Sequence, residues 1–281
     1  MRTVTFKSVL MGIAERAGLS PETADLSLEE ACTITEFINS RLREAWEWAW
    51  WPELMAVAQR YYRPAWDAAT AYLSDEEVYY DGDYYTCIAA SVAEEPSLTP
   101  SAWELTADLQ RYVPLEQTGN VSIGEVKRVT RRDPRLDGIA WDIEFEPTAD
   151  GIRIIGYTGA SVWMEFRRRP PTFSAIPWNV TTNYSAGELC YLPATGECYQ
   201  ALQAAMGQDP ATATTYWEEV EFPYIFGEFV KGAAFGDWLD AEGQGDKADA
   251  KRNSAYGALA RAELAVFGQQ GVSQRAEARV G

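Results

Sequence analysis

The feature that most constrains how this chain can fold is an aromatic motif that occurs twice. Each copy places tryptophan, tyrosine, a turn glycine and proline in the same order and ends on Trp-Glu. The matching anchors are Trp66, Tyr72, Val78, Gly82, Tyr85, Pro96 and Trp103 in the first copy, and Trp178, Tyr184, Leu189, Gly196, Tyr199, Pro210 and Trp217 in the second. The offset between copies is 112 positions at the start, 111 in the middle and 114 at the end, a drift that small insertions in turns explain. Because apolar residues alternate around Asp81-Gly82, the motif predicts a β-hairpin. The chain is therefore predicted to carry two copies of one small β module.

The charge of the chain limits the functions it can have. Its 281 residues, enough for about two or three domains, carry a formal net charge of −18 and include no histidine. Such acidity argues against sequence-specific binding of nucleic acid, which uses basic surfaces, although an acidic wall could let DNA slide past. Solubility is the simpler explanation of the acidity. The absence of histidine excludes histidine-based triads, general bases and metal sites.

The four cysteines predict neither a metal centre nor an exported protein. Cys32, Cys87, Cys190 and Cys198 form no Cys-x-x-Cys pair, which argues against a zinc or thioredoxin-like site. Cys190 and Cys198 flank a turn and could face each other across two strands, and we expect them to be reduced because nothing marks export. No apolar run resembles a signal peptide or approaches the ~20 residues of a membrane span. We expect no cofactor, no membrane contact, and synthesis in cytosol.

The N-terminal part is predicted to contain two helices. Apolar side chains at helical spacing cover residues 6–17, and Gly18 ends that helix. Ser27 to Glu30 has the pattern of a capping box and begins a second helix over about 28–50. Four indoles crowd the end of this helix and cannot share one face. They either complete the core and its rim or contact another subunit, because tryptophan is enriched at interface hot spots. These indoles are Trp46, Trp48, Trp50 and Trp51.

The middle of the chain differs from the modules and from the ends. Four runs separated by Gly, Pro and Asp predict strands of a small antiparallel β domain, over residues 123–129, 140–145, 151–155 and 161–166. Basic residues concentrate here. They form either a solvated face or a docking surface for an acidic neighbour, with DNA phosphate as a further alternative. They are Lys127, Arg128, Arg131, Arg132, Arg135, Arg167, Arg168 and Arg169.

From Phe222 onward the chain is predicted to be helical again. One amphipathic helix is closed by Gly243 and Gly245, a second covers about 247–268, and a polar tail follows Gly268. Helices at both ends suggest that they pack together. The predicted fold class is α+β, with a helical core from both chain ends, a central antiparallel β domain and two small inserted β modules. The predicted boundaries are 1–65 (helical), 66–105 (module), 106–177 (β domain), 178–221 (module) and 222–281 (helical with tail).

A hydrolase with paired carboxylates is the enzymatic alternative. Asp142 and Glu144 alternate on one predicted strand and therefore share a face, but the polar alternation of an exposed strand explains them equally well. The pair matches no known hydrolase family. We therefore expect that the protein is not an enzyme.

The doubled motif resembles the chitin-binding-like carbohydrate-binding modules of bacterial chitinases and phage structural proteins. The resemblance lies in residues 66–72, 78–85, 96–105, 178–184, 189–191, 199–201 and 210–218. Members that bind chitin carry adjacent exposed aromatics a few residues after the position of Tyr85, where this chain has Ala89-Ala90 and, in the second copy, Gln203-Ala204. Because aromatic stacking supplies much of the affinity for sugar, this departure favours scaffold or surface decoration over glycan binding. The candidate glycan-binding or module-core aromatics are Trp66, Tyr80, Tyr85, Trp103, Trp178, Tyr191, Tyr199 and Trp217.

With the modules set aside, the remaining helices and β domain resemble the head-to-tail adaptor (connector or neck) proteins of tailed bacteriophages. The similar segments are residues 3–6, 31–51, 162–171 and 234–248. The resemblance implies a structural virion protein without catalytic residues. Such adaptors form a ring, usually twelvefold, beneath the portal protein, extend the DNA channel and dock the tail or the next neck protein. The expected location is the head–tail junction of a virion assembled in host cytoplasm.

The resemblance also implies roles for the parts. The terminal helices would make the ring and bind the portal, the acidic excess would partly line a channel that DNA traverses without sequence-specific binding, and the modules would project outward. The basic β domain or the tail after Gly268 would meet acidic neighbours. The candidate subunit-interface residues are Trp46, Trp48, Trp50, Trp51, Trp238, Arg131, Arg132, Arg167 and Arg168. The alternative function is a carbohydrate-binding accessory or tail protein that contacts host-surface glycans.

Overall fold

A computed structural model describes residues 2–19, 26–116, 121–136, 141–149 and 151–269. The chain has a mixed α+β fold that divides into two compact units, residues 1–53 with 170–281 and residues 54–169. The predicted helical core, central antiparallel β domain and two small β modules are all confirmed. The first unit contains the second module (178–221), and the second unit contains the first module (66–105). The polar tail predicted after Gly268 lies almost entirely outside the described residues.

The regular elements follow the chain in this order. The helices are α1 (Phe6–Ala17), α2 (Leu28–Trp48), α3 (Gly227–Ala241) and α4 (Gly245–Gln269). The strands are β1 (Thr3–Thr5), β2 (Met55–Tyr61), β3 (Ala71–Tyr72), β4 (Glu77–Tyr80), β5 (Asp83–Cys87), β6 (Ser91–Val92), β7 (Trp103–Leu105), β8 (Tyr112–Pro114), β9 (Ile123–Thr130), β10 (Phe145–Pro147), β11 (Gly151–Ile154), β12 (Ser161–Arg168), β13 (Asn183–Tyr184), β14 (Leu189–Leu192), β15 (Glu197–Ala201), β16 (Ala205–Met206), β17 (Trp217–Glu219) and β18 (Glu221–Pro223).

The two parts of the chain that flank the β regions build one helical core in the first unit. β1 pairs antiparallel with β18, so that Val4 lies opposite Phe222. α3 packs against α1, α2 and α4. Most positions of the apolar stripes predicted from helical spacing are buried, and Leu10 of α1, Ile38 of α2 and Phe229 of α3 are almost completely so. Leu264 of α4, which the spacing placed in a stripe, is instead 70% exposed. The core therefore needs residues from both sides of the β insertions.

Local capping signals place the ends of the first two helices. The Ser27 side chain accepts the Glu30 N–H at 3.2 Å while the Glu30 carboxylate accepts the Ser27 N–H at 3.0 Å, which confirms the predicted capping box. Gly18 adopts φ 75°, a left-handed conformation that terminates α1. α2 ends at Trp48, slightly before the predicted limit near residue 50, and Pro52 begins a short 3₁₀ turn. The last two tryptophans of this region therefore lie beyond the helix.

The central β domain of the second unit is formed by two three-stranded antiparallel sheets. The strand orders are β2-β12-β9 and β10-β11-β8, and side chains from both sheets share one hydrophobic cluster. The sequence pattern does not predict β2, which falls in the segment predicted to be helical and pairs along its whole length with β12. The strand predicted over 140–145 is displaced toward the C-terminus: β10 begins at Phe145, and Asp142 makes only an isolated bridge with Thr130.

The two modules have the same topology. Each combines a two-stranded ribbon with a three-stranded antiparallel sheet, β3-β6 with β4-β5-β7 and β13-β16 with β14-β15-β17. The bridges Ala65–Tyr79 and Pro177–Tyr191 are equivalent, which sets the offset in the middle of the motif at 112. Matching Val78 to Leu189 is therefore wrong by one residue.

The corrected register places Val78 opposite Tyr85 and Cys190 opposite Tyr199. Both Val78 and Cys190 face the core of their module. The change of offset from 112 to 114 falls in the hairpin loop, which is two residues longer in the second module. The Asp81-Gly82 hairpin is confirmed, with positive φ at both residues, 47° and 98°.

Candidate interaction surfaces

The tryptophans that close each copy of the motif form the core of their module. Trp103 and Trp217 are each 2% exposed. The Trp103 ring meets the Tyr72 ring edge-on at 5.2 Å, and the Trp217 ring meets Tyr184 at 5.1 Å. Their indole N–H groups donate to the backbone carbonyls of residues 94 and 208, at 3.1 and 3.0 Å. These two indoles are therefore structural and do not offer a stacking face to a sugar.

A second face of each module attaches it to the rest of its own unit. In the second module, Tyr191 meets Phe6 of α1 edge-on at 5.9 Å, and the Ser174 N–H donates to Cys198 Sγ. In the first module, Tyr79 stacks on Tyr61 of β2 at 4.1 Å. Because Tyr79 and Tyr191 are equivalent, both modules use the same face for attachment. Tyr191 is consequently buried and unavailable to a ligand.

The remaining candidate aromatics differ between the modules. Trp66 and Tyr80 of the first module are partly buried and meet edge-on at 5.3 Å, and a hydrogen bond to Glu95 raises the pKa of Tyr80 to about 12. Tyr85 is also partly exposed. Trp66 and Tyr85 pack against their module core, as Trp178 does in the second module. There Tyr199 is buried and the counterpart of Tyr80 is Leu192, so Trp178 is the partly exposed member of the three equivalent positions.

The four tryptophans near the end of α2 divide into two pairs. Trp46 and Trp51 are buried, both rings contact Phe226, and the Trp51 N–H donates to the Ala45 carbonyl at 2.8 Å. They complete the chain's own core, so the prediction that they contact another subunit is wrong. Trp48 and Trp50 remain 42% and 40% exposed. These two indoles form an exposed aromatic edge on the first unit.

Two further features of the helical core involve α3. Trp238 is partly buried and lines a groove of 810 Å³ between the ends of the helices, together with Leu239, Arg16 and Lys247. Asp237, one residue earlier, points to the other helices. It accepts two hydrogen bonds from the Arg41 guanidinium, at 2.6 and 2.5 Å.

The pairing of Arg41 with Asp237 belongs to a polar network that joins three helices. Arg252 of α4 adds a contact to Asp237 at 3.4 Å, and Tyr256 donates to Glu44 at 2.5 Å while accepting from Arg41 at 3.0 Å. The hydrogen bonds to Asp237 raise the pKa of Arg41 above its ordinary value. This network fixes α2, α3 and α4 relative to one another, so the exposed aromatic edge stands on a rigid support.

The basic residues of the β domain are largely neutralised within the domain. Residues 106–177 contain ten basic and ten acidic side chains. Among the described residues of this range, six ion pairs form: Lys127–Glu165, Arg128–Asp142, Arg135–Asp133, Arg153–Glu146, Arg167–Glu125 and Arg169–Glu116. The domain therefore has a mixed-charge surface, which corresponds to the solvated-face alternative better than to an uncompensated basic patch.

The candidate arginines of this domain occupy different environments. Arg131 is exposed and lies over the rings of Trp141 and Tyr157, at 5.9 and 5.6 Å. Arg132 and Arg168 are also exposed. Arg167 is only 9% exposed, so little of its side chain is available to another subunit, contrary to its prediction as an interface residue.

The acidity of the chain is concentrated in the modules. Residues 66–105 contain nine acidic and no basic residues, and residues 178–221 contain six acidic and no basic residues. The modules therefore account for fifteen of the eighteen units of net negative charge. The helical core and the β domain together are almost neutral.

The cysteines are free thiols. Cys190 and Cys198 are fully buried. Cys190 lies directly across from Tyr199, and Cys198 lies across from Tyr191, the residue after Cys190, so the two thiols point to opposite faces of the sheet. Burial raises the pKa of Cys190 to about 12 and that of Cys198 to about 11. Both thiols therefore behave as small apolar side chains at neutral pH.

Neither carboxylate of the enzymatic alternative lies in a described cavity. Asp142 is ion-paired with Arg128, and Glu144 is exposed. Within the described part of the chain, no group of three or more acidic, cysteine or histidine side chains could hold a metal ion. None of the described helices is long and apolar enough to cross a membrane. Comparison of the sequence with family models and curated proteins, and of the fold with solved structures, gives no match.

Proposed function

We propose that this protein is a structural subunit of a tailed-phage virion, a head-to-tail adaptor. It forms a homo-oligomeric ring, a dodecamer by the resemblance, beneath the portal protein and docks the tail or the next neck protein. The observation that carries the proposal is the helical core that the two outer parts of the chain build around β insertions. This is the arrangement that the resemblance implies for an adaptor. The proposed role is assembly and not catalysis.

The exposed aromatic edge supports a contact between subunits. Trp48 and Trp50 present large apolar surfaces at one end of α2, and Trp48 is held in place by a 2.7 Å hydrogen bond from its indole N–H to Glu263 of α4. A rigid aromatic side chain loses little conformational entropy when it is buried, which makes tryptophan effective at interfaces. We place the ring contact at this edge.

The charge distribution supports passage of DNA without binding. The net charge of −18 repels phosphate, and the mixed-charge β domain offers no extended row of unpaired cations among its described residues. Because the modules carry most of the negative charge, their placement decides where the repulsion acts. In an adaptor whose modules project outward, most of the acidic excess would lie away from the channel and not line it. The helical core around the channel would be nearly neutral and would neither bind nor strongly repel DNA.

The test combines location with assembly state. Antibody raised against the chain should label virions at the head–tail junction, and native mass spectrometry of the chain with portal protein should detect a ring. Trp50→Ser should weaken ring formation at least about tenfold, whereas Leu28→Ser, at the other exposed end of α2, should leave it unchanged. Label elsewhere on the virion contradicts the proposal. Retention of the folded chain on chitin would favour the carbohydrate-binding alternative.

A further inference from the structure

The two modules expose an apolar pair at the same two positions. Ile88 and Leu202 each follow the middle strand of their sheet, and their N–H groups donate at 2.8 Å to the carbonyls of residues 102 and 216, respectively. Val92 and Met206 occupy equivalent places on the short ribbons, opposite residues 71 and 183. The four side chains are 43%, 47%, 59% and 63% exposed, in the order in which they are named here.

Exposed apolar residues elsewhere in the first module do not recur in the second. Leu73, Leu98 and Leu105 are each more exposed than Ile88 and Val92. Their counterparts in the second module are polar, namely Ser185, Thr212 and Glu219. Isolated exposed apolar residues are normal on protein surfaces. Of the five positions with exposed large apolar residues in the first module, the two of the repeated pair are also apolar and exposed in the second module, and the other three are not. This selective recurrence indicates a shared contact.

The two residues of each pair are close in sequence. Ile88 and Val92 are four residues apart, so their Cα atoms are separated by at most about 14 Å. Small side chains at residues 89 and 90 lie between them, and Ser91 is buried. This is the segment in which the resembling sugar-binding modules carry their stacking aromatics.

The chemistry of this surface selects its partner. Aliphatic side chains lack the flat π-face on which a sugar ring stacks, which disfavours a glycan. The modules contain fifteen carboxylates and no lysine or arginine, so an acidic or nucleic-acid partner would be repelled. We propose that each module docks a cationic protein segment, with aliphatic side chains on the repeated pair and lysine or arginine beside carboxylates of the same module. The inference does not depend on the proposed ring.

The experiment uses the full chain and defined peptides. Fluorescence anisotropy would compare fluorescent twelve-residue peptides of alternating Leu and Lys, Ser and Lys, and Leu and Glu, at ~0.15 M salt. The Leu-Lys peptide should bind at least about tenfold more tightly than either control peptide, because it alone offers both the apolar and the cationic contact. Its affinity should fall as salt is raised.

The variants locate the contact. Replacing all four residues of the repeated pairs by serine should weaken binding of the Leu-Lys peptide at least about tenfold. The control, Leu73→Ser with Leu98→Ser, removes two apolar side chains that are more exposed from the first module and should change affinity less than about twofold. Circular dichroism confirms that each variant is folded.

Four results would overturn the proposal. They are equal binding of the Leu-Lys and Ser-Lys peptides, wild-type affinity in the fourfold serine variant, an equal loss in the control variant, and no binding of the Leu-Lys peptide. Binding of chitin oligosaccharides that the fourfold variant abolishes would replace the protein partner by a glycan.

Discussion

Replacing Asp237 with asparagine is expected to lower the free energy of unfolding of the first unit by about 3 kcal/mol. The carboxylate accepts two short, charge-assisted hydrogen bonds from Arg41, and the two side chains are only 18% (Arg41) and 13% (Asp237) exposed. Removing one partner of a buried ion pair costs about 3–5 kcal/mol because the other charge loses its compensation. Since Arg41 keeps its 2.7 Å ion pair with Glu44 and some water reaches the site, we take the lower end of this range.

The measurement is urea unfolding followed by circular dichroism at 222 nm. All four described α-helices lie in the first unit, so this signal reports on that unit. With a slope of about 2 kcal/mol per molar urea, the midpoint should fall by about 1.5 M. Arg41→Lys, which keeps the charge but not the planar two-point geometry, should give an intermediate loss.

The matched control is Asp240→Asn on the same helix. Asp240 is 54% exposed and contacts only Arg252 in the described network, at 3.1 Å. Exposed ion pairs contribute less than about 1 kcal/mol, so this variant should be nearly as stable as the wild type. Equal losses in the two variants would refute the argument that burial of the carboxylate sets the cost.

Three further predictions concern the modules. Trp103→Ala and Trp217→Ala should each destabilise their unit by about 3–5 kcal/mol in urea unfolding, because each removes the largest buried ring of a module; a loss below about 1 kcal/mol would show that the ring is not structural. Because burial raises the pKa values of Cys190 and Cys198 above that of an unfolded thiol, stability that is full below about pH 9 should be lost as the pH rises toward 11–12, on the order of 1 kcal/mol per pH unit for each thiol. The double alanine variant should lack this part of the fall, and an unchanged slope would contradict it. Tyr84→Phe should cost about 1–3 kcal/mol and speed hydrogen exchange of the N–H that its hydroxyl accepts at 3.1 Å; unchanged exchange would argue against this hydrogen bond.

Features that depend on neighbouring residues could be predicted from the sequence. The capping box at Ser27, the left-handed glycine after α1 and the Asp81-Gly82 hairpin all satisfy hydrogen bonds within a few residues. The repeated motif indicated the modules because the same residues fill the same core twice. The helical core was predictable for a similar reason, since helical spacing shows which face is apolar.

Features that depend on distant residues could not. β2 has no partner nearby and is a strand because it pairs with β12, about a hundred residues later. The inward or outward direction of Trp50 and Trp51 depends on where α2 stops. The acidic partners of Arg128 and Arg167 lie 14 and 42 residues away along the chain, so a local concentration of basic residues looked like a charged patch.

The pairing of β1 with β18 has a consequence for synthesis on the ribosome. The second unit is contiguous in sequence and emerges complete, but α1 and α2 must wait for β18 and α3, about 170 residues later. At roughly 5–20 residues per second, their apolar stripes remain uncovered for about 10–35 s. During this interval the nascent N-terminal helices are open to aggregation and to chaperones. Slower translation would lengthen the exposure, whereas faster translation would shorten it.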